Sequence, residues 1–349
     1  MNYQIATIPG DGIGREVVPA AQAVLEKAGR RWGFELEWRT FDWSCERYAG
    51  QGSMMPADGI EQLAESDAIF LGAVGYPGVP DHVSLWGLLI PIRRSFRQRV
   101  NHRPIRLFPG IEAPLRKTDE PIDFVVVREN NEGEYSEIGG RIFRGTEDEM
   151  AVQESVFTRR GVQGVMRYAY ELATQRDGRV VSATKSNGIV HTMPFWDEVF
   201  AELAADYPNV ATAQYHIDAL AALFVQAPQS LDVVVSSNLF GDILSDLGAA
   251  VVGSIGIAPS ANLNPEREYP SMFEPVHGSA PDIVGMQIAN PIGQIGSGAL
   301  MLEHLGEVEA AHAIVEAIAS MLADGGPRTP DLGGQASTQE VTDALVSAL

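Results

Sequence analysis

Hydrophobic and polar positions follow two interleaved rhythms along this chain. Short apolar runs read as buried strands: "YQIATI" (3–8), "AIFLGAV" (68–74), "DFVVVREN" (123–130), "RVVSATK" (179–185) and "LDVVVSSNLF" (231–240). Between them, apolar residues recur at helical spacing over 15–29, 85–99, 161–176, 194–206, 241–249 and near 306–323. Strands alternating with helices predict an α/β fold around a largely parallel sheet. One segment breaks the rhythm. "GRIFRGTEDEMAVQESVFT" (140–158) has two strand-like halves around polar residues, which predicts a hairpin arm able to pair with another subunit. No internal repeat or low-complexity linker marks a domain boundary.

The first strand runs into "IPGDGIGREV" (8–17), a glycine turn before a helix. Dinucleotide-binding Rossmann turns read G-x-G-x-x-G. Here the third glycine, Gly14, comes one residue early and Arg15 holds its place. No clear strand ends in an acidic ribose-binding residue about twenty positions on. The expectation is a tight turn that needs glycine backbone angles, with any nucleotide held elsewhere.

Composition narrows the classes. The 349 residues suggest two domains or one large α/β unit. With 46 acidic and 25 basic residues the formal net charge is -21, which argues against nucleic acid and anionic membrane surfaces. An anionic substrate would need a local basic pocket. The single cysteine, Cys45, excludes an intrachain disulfide and fits a reducing compartment. The chain's start lacks the pattern of a signal peptide, and no run of about 18 apolar residues exists. The expected location is cytoplasmic.

Four stretches could carry chemistry. "PIRRSFRQRVNHRPIR" (91–106) places Arg93, Arg94, Arg97, Arg99, Arg103 and Arg106 close together in an acidic chain. Arg93 and Arg97, four apart, would share a helix face, and Arg103 before Pro104 would be extended. The cluster is either a pocket for a di- or tricarboxylate or a solvated face paired to surplus acids. "SSNLFGDILSDLG" (236–248) would stack Asp242 and Asp246 on one helix turn, a repulsion that a Mg²⁺ or Mn²⁺ ion would remove. "YHIDALA" (215–221) offers a third carboxylate, Asp218. In "SATKSNGI" (182–189), Lys185 follows a strand, where α/β folds place ligands and where desolvation can lower a lysine's pKa so that it serves as a base. "VVVRENNEGEYS" (125–136) ends another strand with Arg128 and Tyr135. "FEPVHGSAPDIVG" (273–285) is a small-residue loop around His277, Gly278, Ser279 and Asp282. It could cradle a ribose or phosphate, or be an ordinary turn.

Together these stretches resemble the family of decarboxylating 2-hydroxyacid dehydrogenases, which includes the isocitrate, 3-isopropylmalate and D-malate/tartrate enzymes. "IPGDGIG", "NLFGDILSDLG" and "EPVHGSAPDI" are specific to it. "SLWGLLIPIRRSF", "RLFPG", "QESVFTRRG", "ATKSNGI" and "GIAPSANLNPE" are most similar to the D-malate/tartrate branch. The resemblance implies an α/β, two-domain fold with a mostly parallel central sheet, not a Rossmann domain. It implies a large, cofactor-side domain from 1–98 and 253–349. Residues 99–252 would form a small domain with metal, substrate, dimer interface and the arm. It further implies that Arg93, Arg103 and Arg128 grip substrate carboxylates, and that Asp218, Asp242 and Asp246 hold Mn²⁺ or Mg²⁺. Lys185 would help remove the hydroxyl proton, and Tyr135 would protonate the enol carbon after CO₂ leaves. Lys185 and Asp218 would reach across from a partner subunit, making a homodimer, or a tetramer built on it, the active form. His277, Gly278, Ser279, Ala280, Asp282 and Asn290 would bind the cofactor. Asp282 would repel a 2′-phosphate and so favour NAD. Potassium is the implied monovalent activator. Asn131 stands where the family usually has threonine, and Gly296 where the malate branch often has tryptophan.

The residues before Arg93 bear on the substrate. Gly87 and Leu89 stand where isocitrate enzymes carry polar groups for a third carboxylate, and an apolar wall there leaves such a carboxylate unpaired. Trp86 is expected to fill the volume that an isopropyl group would need. The expectation is NAD- and metal-dependent oxidative decarboxylation of D-malate to pyruvate and CO₂, with tartrate also oxidised. The alternatives are 3-isopropylmalate oxidation and a non-catalytic regulatory subunit. The second is disfavoured because all eight proposed arginine, tyrosine, lysine and aspartate groups are present.

Overall fold

The computed structural model describes residues 1–115 and 120–349. Its strands are β1 (Asn2–Gly10), β2 (Glu35–Thr40), β3 (Ala68–Ala73), β4 (Val100–Arg106), β5 (Asp123–Glu129), β6 (Gly139–Ile142), β7 (Met150–Gln153), β8 (Arg179–Thr184), β9 (Ala211–His216), β10 (Val233–Ser236), β11 (Pro259–Leu263) and β12 (Ser271–Pro275). Its helices are α1 (Gly14–Trp32), α2 (Cys45–Gln51), α3 (Gly59–Ala64), α4 (Asp81–Ser84), α5 (Ile90–Ser95), α6 (Arg159–Thr174), α7 (Thr192–Ala204), α8 (Ile217–Gln226), α9 (Asn238–Val251), α10 (Ile292–Leu305), α11 (Val308–Ala323) and α12 (Thr338–Ala348). A π-helical turn, Leu85–Leu89, joins α4 to α5. Among the described residues no helix is long and apolar enough to cross a membrane.

Ten strands form one sheet in the order β2-β1-β3-β12-β11-β4-β5-β10-β8-β9. Pairing is parallel except around the middle, where β11 runs antiparallel to β12 and β4, and β4 antiparallel to β5. The first five strands in this order come from both ends of the chain, and the other five from its middle. Strand β4 joins the two groups although it contains Pro104. Its pairing with β11 stops at His102, so the missing proline N–H costs nothing on that edge.

Helices cover the sheet with regular apolar stripes. Helix α1 buries Val17, Val18, Ala21, Val24, Leu25 and Ala28, then ends on Gly33 in the left-handed conformation (φ 81°). Helix α6 starts at Thr158, whose side chain accepts the Gly161 N–H, and buries Val162, Val165, Met166, Ala169 and Tyr170. Each such fully buried large apolar side chain contributes about 1.5–3 kcal/mol.

The Gly10–Gly14 turn is held by close backbone approach. Gly12 has φ +57°, and a Cβ there would lie 2.1 Å from the Ser279 carbonyl oxygen. The Ile13 N–H donates to that same oxygen at 2.9 Å. The buried Asp11 carboxylate accepts the N–H groups of Cys45, Glu46 and Gly75. The turn is thus a brace for the 277–280 loop.

Strands β6 and β7 pair antiparallel as an exposed hairpin over 139–153, at the segment expected to form the arm. The expected helix over 85–99 does not form as one piece. It is broken into α4, the π turn and α5, and ends at Ser95. Arg97 lies beyond it at φ +47° and pairs at the surface with Glu268 (2.9 Å). Arg93 and Arg97 therefore do not share a helix face. The expected helix near 306–323 is α11, and α10 before it went unforeseen.

Candidate active site

A cavity of about 220 Å³ opens at the C-terminal ends of β3, β5 and β12, where parallel strands place ligands. Three arginines from three elements converge on it. Arg93 comes from α5, Arg103 from β4 and Arg128 from the end of β5, and their side chains are only 8%, 8% and 4% exposed. The other three arginines beyond Arg94 serve elsewhere: Arg97, Arg99 and Arg106 pair with Glu268, Glu266 and Glu316.

Three carboxylates answer these charges. Arg93 Nη2 donates to Glu274 Oε1 at 2.7 Å, and Asn262 Nδ2 donates to the same oxygen at 2.7 Å. Arg128 donates to Asp242, and also to Asn238 Oδ1 through Nε at 3.0 Å. Arg103 Nη1 stands 3.5 Å from Asp242 Oδ1 and 3.8 Å from Asp246 Oδ1. Tyr135 donates its hydroxyl proton to Asp242 Oδ2 at 2.9 Å.

The electrostatics follow from burial and charge. Burial works against the Asp242 carboxylate, but the Arg128 and Arg103 guanidiniums outweigh it and hold its pKa below the usual range. Asp246 is pushed up by burial and by Asp242. Burial and then Asp242 raise Tyr135, so the phenol keeps its proton. Burial lowers Arg103 to about 10, with Arg128 adding repulsion. Burial pushes Glu129, just behind the site, up to about 7 although the N–H groups of Asn131 and Glu132 bond to it.

The structure sorts the residues expected to act. Arg93, Arg103, Arg128, Tyr135, Asp242, Leu89, His277 and Gly278 line the cavity. Asp246 sits one turn beyond Asp242 on α9. Trp86 does not line the cavity. Leu85, Leu89 and Ile90 do, while the Trp86 indole lies under the Arg94 guanidinium, 5.1 Å from its centroid. The tryptophan is one position off the Leu85–Leu89–Arg93 row, so it does not fill the expected volume. Ser279 is buried against the Gly12 turn, Ala280 takes φ +42°, and Asp282 is exposed. The Asn290 carboxamide is engaged by Asp331 and the Ile292 N–H. Lys185 Nζ pairs with Asp218 Oδ1 at 2.8 Å away from the arginine cavity. Consistent with this, no group of three His, Cys, Asp or Glu side chains suited to a metal occurs among the described residues.

Sequence reasoning missed Glu274, Asn130, Asn131, Asn238, Leu85 and Ile90 as cavity residues. Glu274 had a signal: a lone charge ending an apolar strand, directly before the small-residue loop.

A fold of this kind, with buried arginines facing an aspartate-bearing helix, defines a class. The isocitrate/isopropylmalate dehydrogenase family model matches residues 4–345, and the chain belongs to that family. It is 57% identical to D-malate dehydrogenase (decarboxylating) of Escherichia coli K12, over 98% of this chain and 97% of that protein. It is 56% identical to the tartrate dehydrogenase/decarboxylase of Pseudomonas putida, over 100% and 98% of the two chains. A probable tartrate dehydrogenase/decarboxylase of Bacillus subtilis 168 is also 56% identical, over 99% and 98%. Among solved structures, isocitrate dehydrogenase from Methylococcus capsulatus matches with a TM-score of 0.89 at 33% identity, over 99% of each chain. Dehydrogenases of this family generally use NAD and a divalent metal ion.

Proposed function

We propose that this chain catalyses the NAD-dependent, metal-dependent oxidative decarboxylation of D-malate to pyruvate and CO₂, and that it also oxidises tartrate. The arginine cavity carries the reading. Three buried guanidiniums face Asp242, Glu274 and, at 3.8 Å from Arg103, Asp246, and the buried Nε–H groups of Arg93 and Arg103 have no partner among the described residues. Such donors suit a small dicarboxylate. The apolar wall of Leu85, Leu89 and Ile90 offers a third carboxylate nothing. The similarity to enzymes named for D-malate and tartrate supports the same choice.

Arg93, Arg103 and Arg128 bind and orient the two carboxylates. Asp242 and Asp246 present hard oxygen donors one helix turn apart, and with Asp218 from a second copy they fit a Mn²⁺ or Mg²⁺ ion. When bound, that ion supplies Lewis-acid polarisation of the 2-hydroxyl and its neighbouring carboxylate. Lys185, also from the second copy, would hold and take the 2-hydroxyl proton, and bound NAD would supply the hydride acceptor for C2. Loss of CO₂ from the 2-keto acid leaves an enolate, and the Tyr135 hydroxyl returns a proton to its carbon. Its raised pKa keeps that proton available. His277 and Gly278 continue the cavity towards the 279–282 loop, where Asp282 disfavours a 2′-phosphate. This reading takes 1–98 with 253–349 and 99–252 as two domains, a homodimer or tetramer as the working unit, K⁺ as an activator, and the cytoplasm as its place.

One observation favours a second reading. Because Trp86 is off the lining, the Leu85–Leu89–Ile90 wall has room for an isopropyl group, so 3-isopropylmalate is the alternative. NADH formation at 340 nm, with Mn²⁺ and K⁺, on D-malate, L-tartrate, 3-isopropylmalate and isocitrate decides between them. The highest kcat/KM is expected on D-malate. A preference for 3-isopropylmalate would overturn the substrate and leave the mechanism, and no turnover on any would overturn both.

A further inference from the structure

The cavity contains one side-chain amide that is engaged at neither end among the described residues. Asn131 lines it, three residues after Arg128. Its Oδ1 is buried and accepts no hydrogen bond, and its Nδ2 has no acceptor among the described residues. The neighbouring amides differ. Asn130 Nδ2 donates to Gln98 O and Asn262 Oδ1, which leaves only its Oδ1 without a partner, and Asn238 is held by Arg128 and the Glu132 carbonyl. Asn131 is not loosely placed either. Its N–H donates to Glu129 Oε1 at 2.8 Å, and the fully buried Glu129 carboxylate also takes the Glu132 N–H at 2.9 and 3.0 Å. A buried polar group without a partner is costly, and a pinned one facing a ligand cavity is preorganised for a ligand group.

We infer that Asn131 is a specificity-determining residue that hydrogen-bonds the C3 hydroxyl of tartrate-type substrates. This rests on the proposed function. The substrate carboxylates engage the arginines, the 2-hydroxyl belongs to the metal and Lys185, and Leu85, Leu89 and Ile90 offer the C3 position only carbon. A C3 hydroxyl must therefore find its partner among the uncommitted polar groups; His277 Nε2 and Asn130 Oδ1 are single unpartnered atoms there, whereas both ends of the Asn131 amide are free among the described residues. A carboxamide serves as both donor and acceptor, so it suits a hydroxyl in either sense. D-malate, with hydrogen at C3, does not need it.

The test measures kcat/KM for L-tartrate and D-malate in the wild type, Asn131→Leu (near-isosteric and apolar) and Asn131→Ser (smaller but still hydrogen-bonding). The leucine variant is expected to lose about 10- to 100-fold on tartrate while D-malate stays within about threefold. Serine should recover part of the tartrate rate, which a purely structural role would not produce. Equal losses on both substrates, an unchanged ratio, or a wild type active on D-malate but inert on tartrate would overturn the inference alone. A wild type inert on both would overturn the functional reading beneath it. Should the leucine variant fail to fold, Asn131→Ala, which also removes the hydrogen-bonding group, takes its place with the same expected change of ratio.

Discussion

Glu274→Gln probes how the substrate-facing charge is held before substrate arrives. Arg93 and Glu274 are 8% and 10% exposed, and their oxygen–nitrogen contact is 2.7 Å. Glutamine keeps the shape and can still accept the Asn262 N–H, so the change removes charge with little change of volume. It leaves three buried guanidiniums facing Asp242 and the more exposed Asp246. Breaking one side of a buried pair costs about 3–5 kcal/mol, because the remaining charge stays desolvated. Hydrogen bonding from Arg93 to the new amide places the effect near the lower end, about 3 kcal/mol. With an unfolding entropy of about 2.1 cal/mol/K per residue over this chain, that corresponds to a Tm lower by about 4 °C. Scanning calorimetry with and without D-malate is the assay. The dianion should raise Tm more in the variant than in the wild type, because it supplies the missing negative charge. A variant Tm within about 1 °C of wild type, with an unchanged ligand shift, would refute the reasoning and show that Arg93 needs no counterion there.

Three further outcomes are expected. His102 and His304 each have a pKa lowered to about 4, chiefly by burial, below the unfolded value of about 6.5. Their neutral forms therefore contribute stability that is present above pH 6.5 and lost as pH falls towards 4. Denaturation midpoints should drop over that window, and His102→Gln should flatten the drop. Gly12→Ala forces a Cβ to within 2.1 Å of the Ser279 carbonyl at φ +57°. It should cost at least about 1–3 kcal/mol and raise KM for NAD more than KM for D-malate, because the displaced atoms belong to the 277–280 loop. Lys185→Met and Asp242→Asn chains should each be inactive alone. Unfolded and refolded as an equal mixture, they should regain about a quarter of wild-type activity if each site takes its lysine from the second chain of a symmetric dimer, and steady-state rates on D-malate check this.

How much was legible depended on whether a residue's role is written in its neighbours. Strands β1, β3, β5, β8 and β10 are runs of buried apolar residues, and the apolar pattern exposes them. Strand β4, "VNHRPIR", is equally central but carries arginines, a histidine and a proline. It is a strand because β11 and β5 pair with its two edges, a relation between segments about 160 and 20 residues distant in sequence. Strand β9 lies at the sheet's edge with its side chains largely in solvent, so it lacks the apolar signal. The arginine cluster stood out against the acidic composition, but local spacing misassigned Arg97, since the chain leaves the helix before reaching it. Glu274 was hidden because its charge is neutralised by Arg93, 181 residues away. Lys185 and Asp218 mark the remaining boundary. Each lies at the end of an apolar or helical pattern that sequence can read, yet folding one chain leaves them paired with each other at 2.8 Å and outside the arginine cavity. Physical reasoning on a single chain therefore arrives at a dicarboxylate-binding cavity with two of the three expected carboxylate ligands on one helix. If the site is shared between subunits, its base and third ligand are properties of the assembled dimer, and the mixed-chain refolding measures that sharing directly.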